Sequence, residues 1–466
     1  MFAIVHGIII FMLGFGFICQ SPQAHAGSTC DYYASPNGVG NGSTLSTPFT
    51  ISKFWSVARP GKTLCLLDGI YTGSSSMIDP PDDLSGASGN PITIKALNDG
   101  KVTINGQGVR RPVLLNRNNY FVLEGFNAHS SNDMSVVRIT RSQYNVVRRV
   151  VAWDAPDGND AIVSVGGSQH TLWEDVAAWG IGRKVFEASQ GGNFTTCRRC
   201  WGRWEGSHQV GPKMTYTLAY NNYNMIIENS IGTWSGEKMQ ESYILRCIGA
   251  QTYSKCGQTQ NNYSIDQPIG IFAADRMDGD NTVHSKILGS IAYITHNDKF
   301  PAAALYGSMA GMNAIEHRDN VAYIEPGSYS NVLTFSLQNN SQGGKDLIAR
   351  NLTGIGGKIY SIGSQWKQSN ISSGGMIGDV GSIFISTKGA QICKRYKDGI
   401  LTNEPLWPWP MNQRIKDAMI QSGRSPVDVT QTIEKMFGPI PNECKTRTQM
   451  STTVPVPTNL RILQVQ

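Results

Sequence analysis

Short apolar runs recur along this chain at a nearly constant interval. Between residues 119 and 238 one phrase is written five times: Tyr120-Phe-Val-Leu-Glu-Gly-Phe126, Tyr144-Asn-Val-Val-Arg-Arg-Val150, His170-Thr-Leu-Trp-Glu-Asp-Val176, Phe194-Thr-Thr-Cys-Arg-Arg-Cys200 and Tyr223-Asn-Met-Ile-Ile-Glu-Asn229. Their first residues are 24, 26, 24 and 29 apart (144−120, 170−144, 194−170, 223−194). Each copy is a short strand of apolar or β-branched residues followed by a loop. A strand-rich unit repeated every roughly 20 to 50 residues predicts a solenoid, because no copy can bury its apolar face alone. Further strand phrases stand at Tyr243–Cys247, Val283–Leu288, Asn313–His317 and Asp346–Asn351. The longer loops between them are expected to crowd one face.

The flanks carry different patterns. Tyr32 to Gly38 predicts a strand and turn, and Thr63 to Tyr71 a strand. Between them Ile51, Phe54, Trp55 and Ala58 fall on one helical face, ended by Arg59-Pro-Gly61. An amphipathic helix there suits the open hydrophobic end of a solenoid. From Asn403 the texture turns Pro- and Trp-rich (Glu404-Pro-Leu-Trp-Pro-Trp-Pro-Met411), followed by helical patterns over Arg414–Gly423 and Val427–Phe437. The expected organisation is a signal peptide over 1–26, a β-helix over 27–400, a C-terminal cap folded back on it over 401–450, and a disordered tail over 451–466.

The opening resembles the N-terminal segment of right-handed parallel β-helix proteins of the pectate-lyase-like superfamily. The matching residues are Tyr32-Tyr33, Ser35-Pro-Asn-Gly38, Thr47-Pro-Phe49, Pro60-Gly61 and Asp68-Gly-Ile-Tyr-Thr-Gly73. With the repeats, the resemblance covers most of residues 30 to 395 and implies an all-β, single-stranded, right-handed parallel β-helix. Polysaccharide lyase chemistry follows from it by analogy of fold alone. The Asn-Thr-Asp, Asp-Asp and Gly-His-Gly pattern of polygalacturonase-type hydrolases is absent, as is the Asp-Pro-His-Asp signature of alginate epimerases. The Lys/Arg and Asn/Glu arrangement of the chondroitinase-B and alginate-lyase group finds no match either.

Composition agrees with short strands and tight turns: 50 Gly, 40% hydrophobic and only 16% charged residues in 466. The apolar run Ile8 to Phe17 followed by Ala24-His25-Ala26 has the pattern of a cleaved secretory signal, which leaves no membrane segment. Eight Cys remain after Gly27, and Cys30–Cys65, Cys247–Cys256 and Cys393–Cys444 are the expected disulfides of an extracellular or periplasmic protein. Cys197-Arg-Arg-Cys200 lacks the second ligand pair of a zinc site and is read as structural. The net charge of +6 permits an acidic polymer as partner, and no basic block with interleaved aromatics points to nucleic acid.

Candidate chemistry comes from registering the coils. Aligning Trp153 with Trp179 puts Asp157 over Arg183 and Gly158 over Lys184, with Ser207, His208, Glu237 and Lys238 level on the next copies. Parallel strands lie about 4.8 Å apart, so these side chains would line one groove. Eliminating a uronate requires its carboxylate to be neutralised and its α-proton removed. Lys184 or His208 is the candidate base, and Arg183 and Arg203 the neutralising cations. Lys213, Glu237, Lys238 and Trp204 are candidate substrate contacts, and Asp154, Asp157 and Asp160 candidate Ca²⁺ ligands. A solvated turn face dressed with Asx-type hydrogen bonds explains the same charges. The expected function is therefore action of a monomer on an acidic polysaccharide by β-elimination, or alternatively glycan binding without catalysis. A hydrolase lacks a carboxylate pair.

Overall fold

The computed structural model describes residues 29–445 except 133–134, 157–160, 207–213, 220–221, 235–268, 275–284, 296–303, 309–313, 326–332, 340–345, 357–359 and 376–391. The signal peptide, the tail, Cys247 and Cys256 lie outside the described residues.

Each coil contributes three strands to three rows. The first row includes Phe121–Glu124, Val146–Arg148, Leu172–Glu174, Thr196–Arg198 and Ile226–Glu228. The second includes Asn127–His129, Val151–Trp153, Ala177–Ile181 and Trp201–Gly206. The third includes Val137–Thr140, Ala161–Gly166, Lys184–Ser189 and Met214–Ala219. Among the described residues the first two rows belong to one 21-stranded sheet and the third forms a 9-stranded sheet, with all pairings between coils parallel. The result is the expected right-handed parallel β-helix.

The repeated phrase is a strand flanked by two left-handed residues. Its first position has φ of 55° at Tyr120, 57° at Tyr144, 54° at His170 and 54° at Phe194. Its sixth has φ of 82° at Gly125, 52° at Arg149, 54° at Asp175 and 51° at Arg199. One left-handed residue turns the chain between the first and second rows, so positions four and seven both face inward. Leu123 and Phe126, Val147 and Val150, Trp173 and Val176, and Cys197 and Cys200 are accordingly buried in one continuous core. The Cys197–Cys200 link sits at such a corner, and Cys30–Cys65 and Cys393–Cys444 are joined as expected. The fifth copy is shifted by one residue. Ile226 pairs with Thr196 and Ile227 with Cys197, so that copy starts at Asn224, whose φ is 54°. Tyr223 belongs to the loop before it.

Outward positions of the first row form an alternating charge ladder. Lys95, Glu124, Arg148, Glu174, Arg198 and Glu228 are successive register partners. Arg148 Nε lies 2.9 Å from Glu174 and Arg198 Nε 2.6 Å from Glu228. Burial alone would push the Glu174 carboxyl up, but Arg199, Arg148 and Arg198 together pull it down to about 2.

At the N-terminal end, helix α1 (Ile51–Phe54) is one turn long and buries Ile51 and Phe54 in the core. The C-terminal segment folds back along the flank. Helices α2 (Asn412–Gln421) and α3 (Val429–Phe437), with Trp407 and Trp409, cover Trp153, Trp179, Trp201, Tyr293 and Tyr323 on the outer face of the second row. This second core is closed at its ends by buried arginine. Arg414 donates to Asn127 Oδ1 at 2.9 Å and Asp99 Oδ1 at 3.1 Å. The segment thus covers the second row and leaves the third row as the sheet its helices do not touch in these contacts.

Candidate functional site

The third row carries a cavity on its outer face. In parallel strands alternate residues point the same way, so Arg138, Ser164 and Glu187, which are register partners, stand side by side across three coils. Val137, Val163 and Phe186 take the inward positions. The cavity is about 220 Å³ and is lined by Arg138, Ser164, Arg183, Glu187, Ser189 and Gln190, among others. Arg183 comes from the loop that joins the second row to the third. Its Nε is buried without a hydrogen-bond partner. Ser164, one of the lining residues, shares a 2.7 Å hydroxyl contact with buried Ser135.

Glu187 is the carboxylate among the lining residues, and it accepts from Lys184 Nζ. Lys184 is 1% exposed and Glu187 5% exposed. Burial pushes the Glu187 carboxyl up, yet Lys184, Arg183 and Arg138 outweigh it and hold the group below its ordinary range. Three cations therefore act on this one carboxylate, two of them guanidinium groups in the wall of a partly dehydrated recess. Such a recess favours a carboxylate or sulfate that brings its own charge.

The expected single column is divided between two sides of the corner that joins the second and third rows. Arg183 lines the cavity, and the adjacent Lys184 meets it only through Glu187. Lys184 pairs with Ala161 and Met214 across the coils, not with Gly158, because the loop after Trp153 is longer than the one after Trp179. Its amine is also held on Glu187 and does not open to solvent. Asp154 and Arg203 lie instead at the junction with the C-terminal segment. Asp154 Oδ1 receives Arg424 Nη2 at 2.6 Å and Ile181 N at 3.1 Å. Gly180, with φ of 102°, makes room for that carboxylate, since a Cβ there would fall 2.3 Å from Asp154 Oδ1. Arg203 donates to Glu205 Oε1 at 2.9 Å from Nε, and Glu205 Oε2 receives Arg424 Nε at 2.6 Å. These four groups satisfy one another and tie the C-terminal segment down. Trp204 faces the core, buried, with Nε1 donating to Gly182 O at 2.8 Å, so it packs and offers no face to a sugar. Asp157, Asp160, His208, Lys213, Glu237 and Lys238 lie outside the described residues. Among the described residues no cluster of three metal-ligating side chains occurs.

Sequence reasoning did not find Arg138, Ser164 or Glu187. Their signal was the outward, polar position in the third-row strands Val-Arg-Ile-Thr140, Ser164-Val-Gly166 and Glu187-Ala-Ser189. The repeated phrase drew attention to the first row.

Among solved structures the chain is similar to pectate lyase Pel9A, with TM-score 0.46 and 13% identity over 73% of this chain and 78% of that one. It is also similar to a rhamnogalacturonan lyase, with TM-score 0.42 and 14% identity over 84% and 99%. A polysaccharide lyase of family PL6 from Pseudopedobacter saltans gives TM-score 0.40 and 14% identity over 67% and 76%. At these identities the likeness is one of fold. No family model and no curated protein matches the chain.

Proposed function

We propose that the protein acts on an acidic polysaccharide, seating a uronate carboxylate in the third-row cavity against Arg138 and Arg183. The observation that carries this reading is the cavity itself, an open recess of about 220 Å³ lined by Arg138, Arg183 and Glu187, with Lys184 buried behind it on Glu187. A planar guanidinium matches a carboxylate with two parallel hydrogen bonds, and the unpartnered Arg183 Nε is a donor in need of one. Neutralising that carboxylate acidifies the neighbouring C–H. The chemistry the site then supports is β-elimination, in which a base takes the α-proton, the C–O bond to the leaving sugar breaks, and an unsaturated sugar remains. Lys184 and His208 are the candidate bases, and Lys184 would first have to pass its proton to Glu187. Ca²⁺ at the Asp154 to Asp160 loop would have to displace Arg424 from Asp154. Export from the cell is part of the same reading, since three disulfides need an oxidising compartment. Among the described residues no helix is long and apolar enough to cross a membrane.

A second reading, glycan binding without turnover, is favoured by one contact. Lys184 is buried with its amine already occupied on the Glu187 carboxylate, and it does not line the cavity where a substrate proton would lie. One experiment separates the two. The protein is incubated with polygalacturonate, alginate and chondroitin sulfate, with and without Ca²⁺, and the ultraviolet absorbance of the unsaturated product is followed. Product formed by wild type and lost in Arg183→Ala and Lys184→Ala supports elimination at this cavity. Polymer binding without product supports the second reading. Turnover untouched in Arg183→Ala and Arg138→Ala overturns the site.

A further inference from the structure

We propose that the stacked rings of Tyr120, Tyr144, His170 and Phe194 form a rail on which an anionic glycan strand lies as it leaves the cavity. The inference rests on the reading that the ligand is an acidic polysaccharide. The rings stand on the corner between the third and first rows. Consecutive centroids are 4.9, 4.7 and 4.5 Å apart, with interplanar angles of 11°, 8° and 6°. All four are half-buried, and Tyr223, edge-on to Phe194, is 37% exposed. The chain runs from the cavity to the strip, since the lining residues Gly166 and Gln190 stand four positions before His170 and Phe194 (170−166, 194−190).

The backbone does not ask for rings here. Each of the four occupies a left-handed conformation, at φ between 54° and 57°, that bulky residues seldom adopt. The equivalent residue of the next coil is Asn224, with φ of 54°, and the coil continues without a ring at that position. A strained conformation kept on four successive rungs is a reason to look for a use. Stacking leaves only the ring edges in solvent. Those edges are the positive part of the aromatic quadrupole, and here they carry phenol hydroxyls and an imidazole N–H. Arg141, exposed on the same corner, adds charge of the same sign. A carboxylate- and hydroxyl-bearing chain finds donors there on three successive rungs, Tyr120, Tyr144 and His170.

The test is affinity for long polygalacturonate, alginate or chondroitin sulfate chains, measured beside the melting temperature. In the double variant Tyr144→Asn/His170→Asn the new residues suit the left-handed backbone. The expected result is an unchanged melting temperature with roughly tenfold weaker binding of long chains and unaltered handling of short oligosaccharides. Should the double variant melt earlier, Tyr120→Phe/Tyr144→Phe keeps the stack and removes only the hydroxyls, and weaker long-chain binding is still expected. Full long-chain affinity in both variants makes the stack purely structural and overturns the rail. If wild type binds none of the polymers, the parent reading fails. If Arg183→Ala loses binding and the ring variants do not, the rail alone fails.

Discussion

Changing Glu187 to glutamine strips the cavity of a carboxylate that is paired with Lys184. Both partners are nearly solvent-free, so the variant leaves a buried ammonium facing an amide, with Arg183 and Arg138 close by. Breaking a buried pair from one side costs about 3–5 kcal/mol. An unfolding entropy of about 2.1 cal/mol/K per residue gives a chain of 466 residues about 1 kcal/mol/K. The midpoint of a thermal melt at pH 7 should then fall by about 3–5 °C. The pH dependence has a fixed sign. The Glu187 carboxyl is held below its ordinary 4.5 when folded, so its contribution is fully present above that pH and is lost as pH falls through the depressed value. The gap between wild type and Glu187→Gln should therefore be full at pH 7 and close below pH 4.5. An acidic sugar supplies the missing anion. At a hundred times its dissociation constant a ligand adds about 2.7 kcal/mol, and monomeric galacturonate should raise the melt of the variant more than that of wild type. Equal melts at pH 7, or an equal response to galacturonate, would refute the claim that this cavity is a charged recess in which Glu187 is a counter-ion.

Three further outcomes follow from the surrounding structure. Arg424→Ala leaves Asp154 and buried Glu205 short of a partner and should lower stability by about 3 kcal/mol, read as early proteolysis of the C-terminal segment. Glu174→Gln removes a carboxyl pulled down to about 2; its stabilisation, on the order of 3 kcal/mol at neutral pH, should fade between pH 4.5 and 2 in wild type and be absent from the variant's acid titration. Cys393→Ser/Cys444→Ser opens a loop spanning 51 residues, which by chain entropy is worth about 4 kcal/mol, seen as a lower denaturant midpoint.

The coil was legible because a solenoid is nearly one-dimensional. Each rung touches only its neighbours, so the spacing of Leu123, Val147, Trp173 and Cys197 along the chain is also their spacing in space. The Cys30–Cys65 and Cys393–Cys444 pairings were expected from the even number of cysteines, whereas the left-handed corners appeared only in the structure. Locality failed wherever a loop changed length. One extra residue moved the fifth copy from Tyr223 to Asn224, and a shorter loop set Lys184 beside Ala161. The sequence alone therefore determined the ladder and its inward residues, whose apolar period must match the strand spacing. Only the tertiary structure decided which charges meet. Arg424 reaches Asp154 across 270 residues and Arg414 reaches Asp99 across 315, contacts that no period encodes. The C-terminal segment chose its flank by covering the tryptophans of the second row, and that choice drew Asp154 and Arg203 into an anchor while Arg138, Arg183 and Glu187 were left around an open recess.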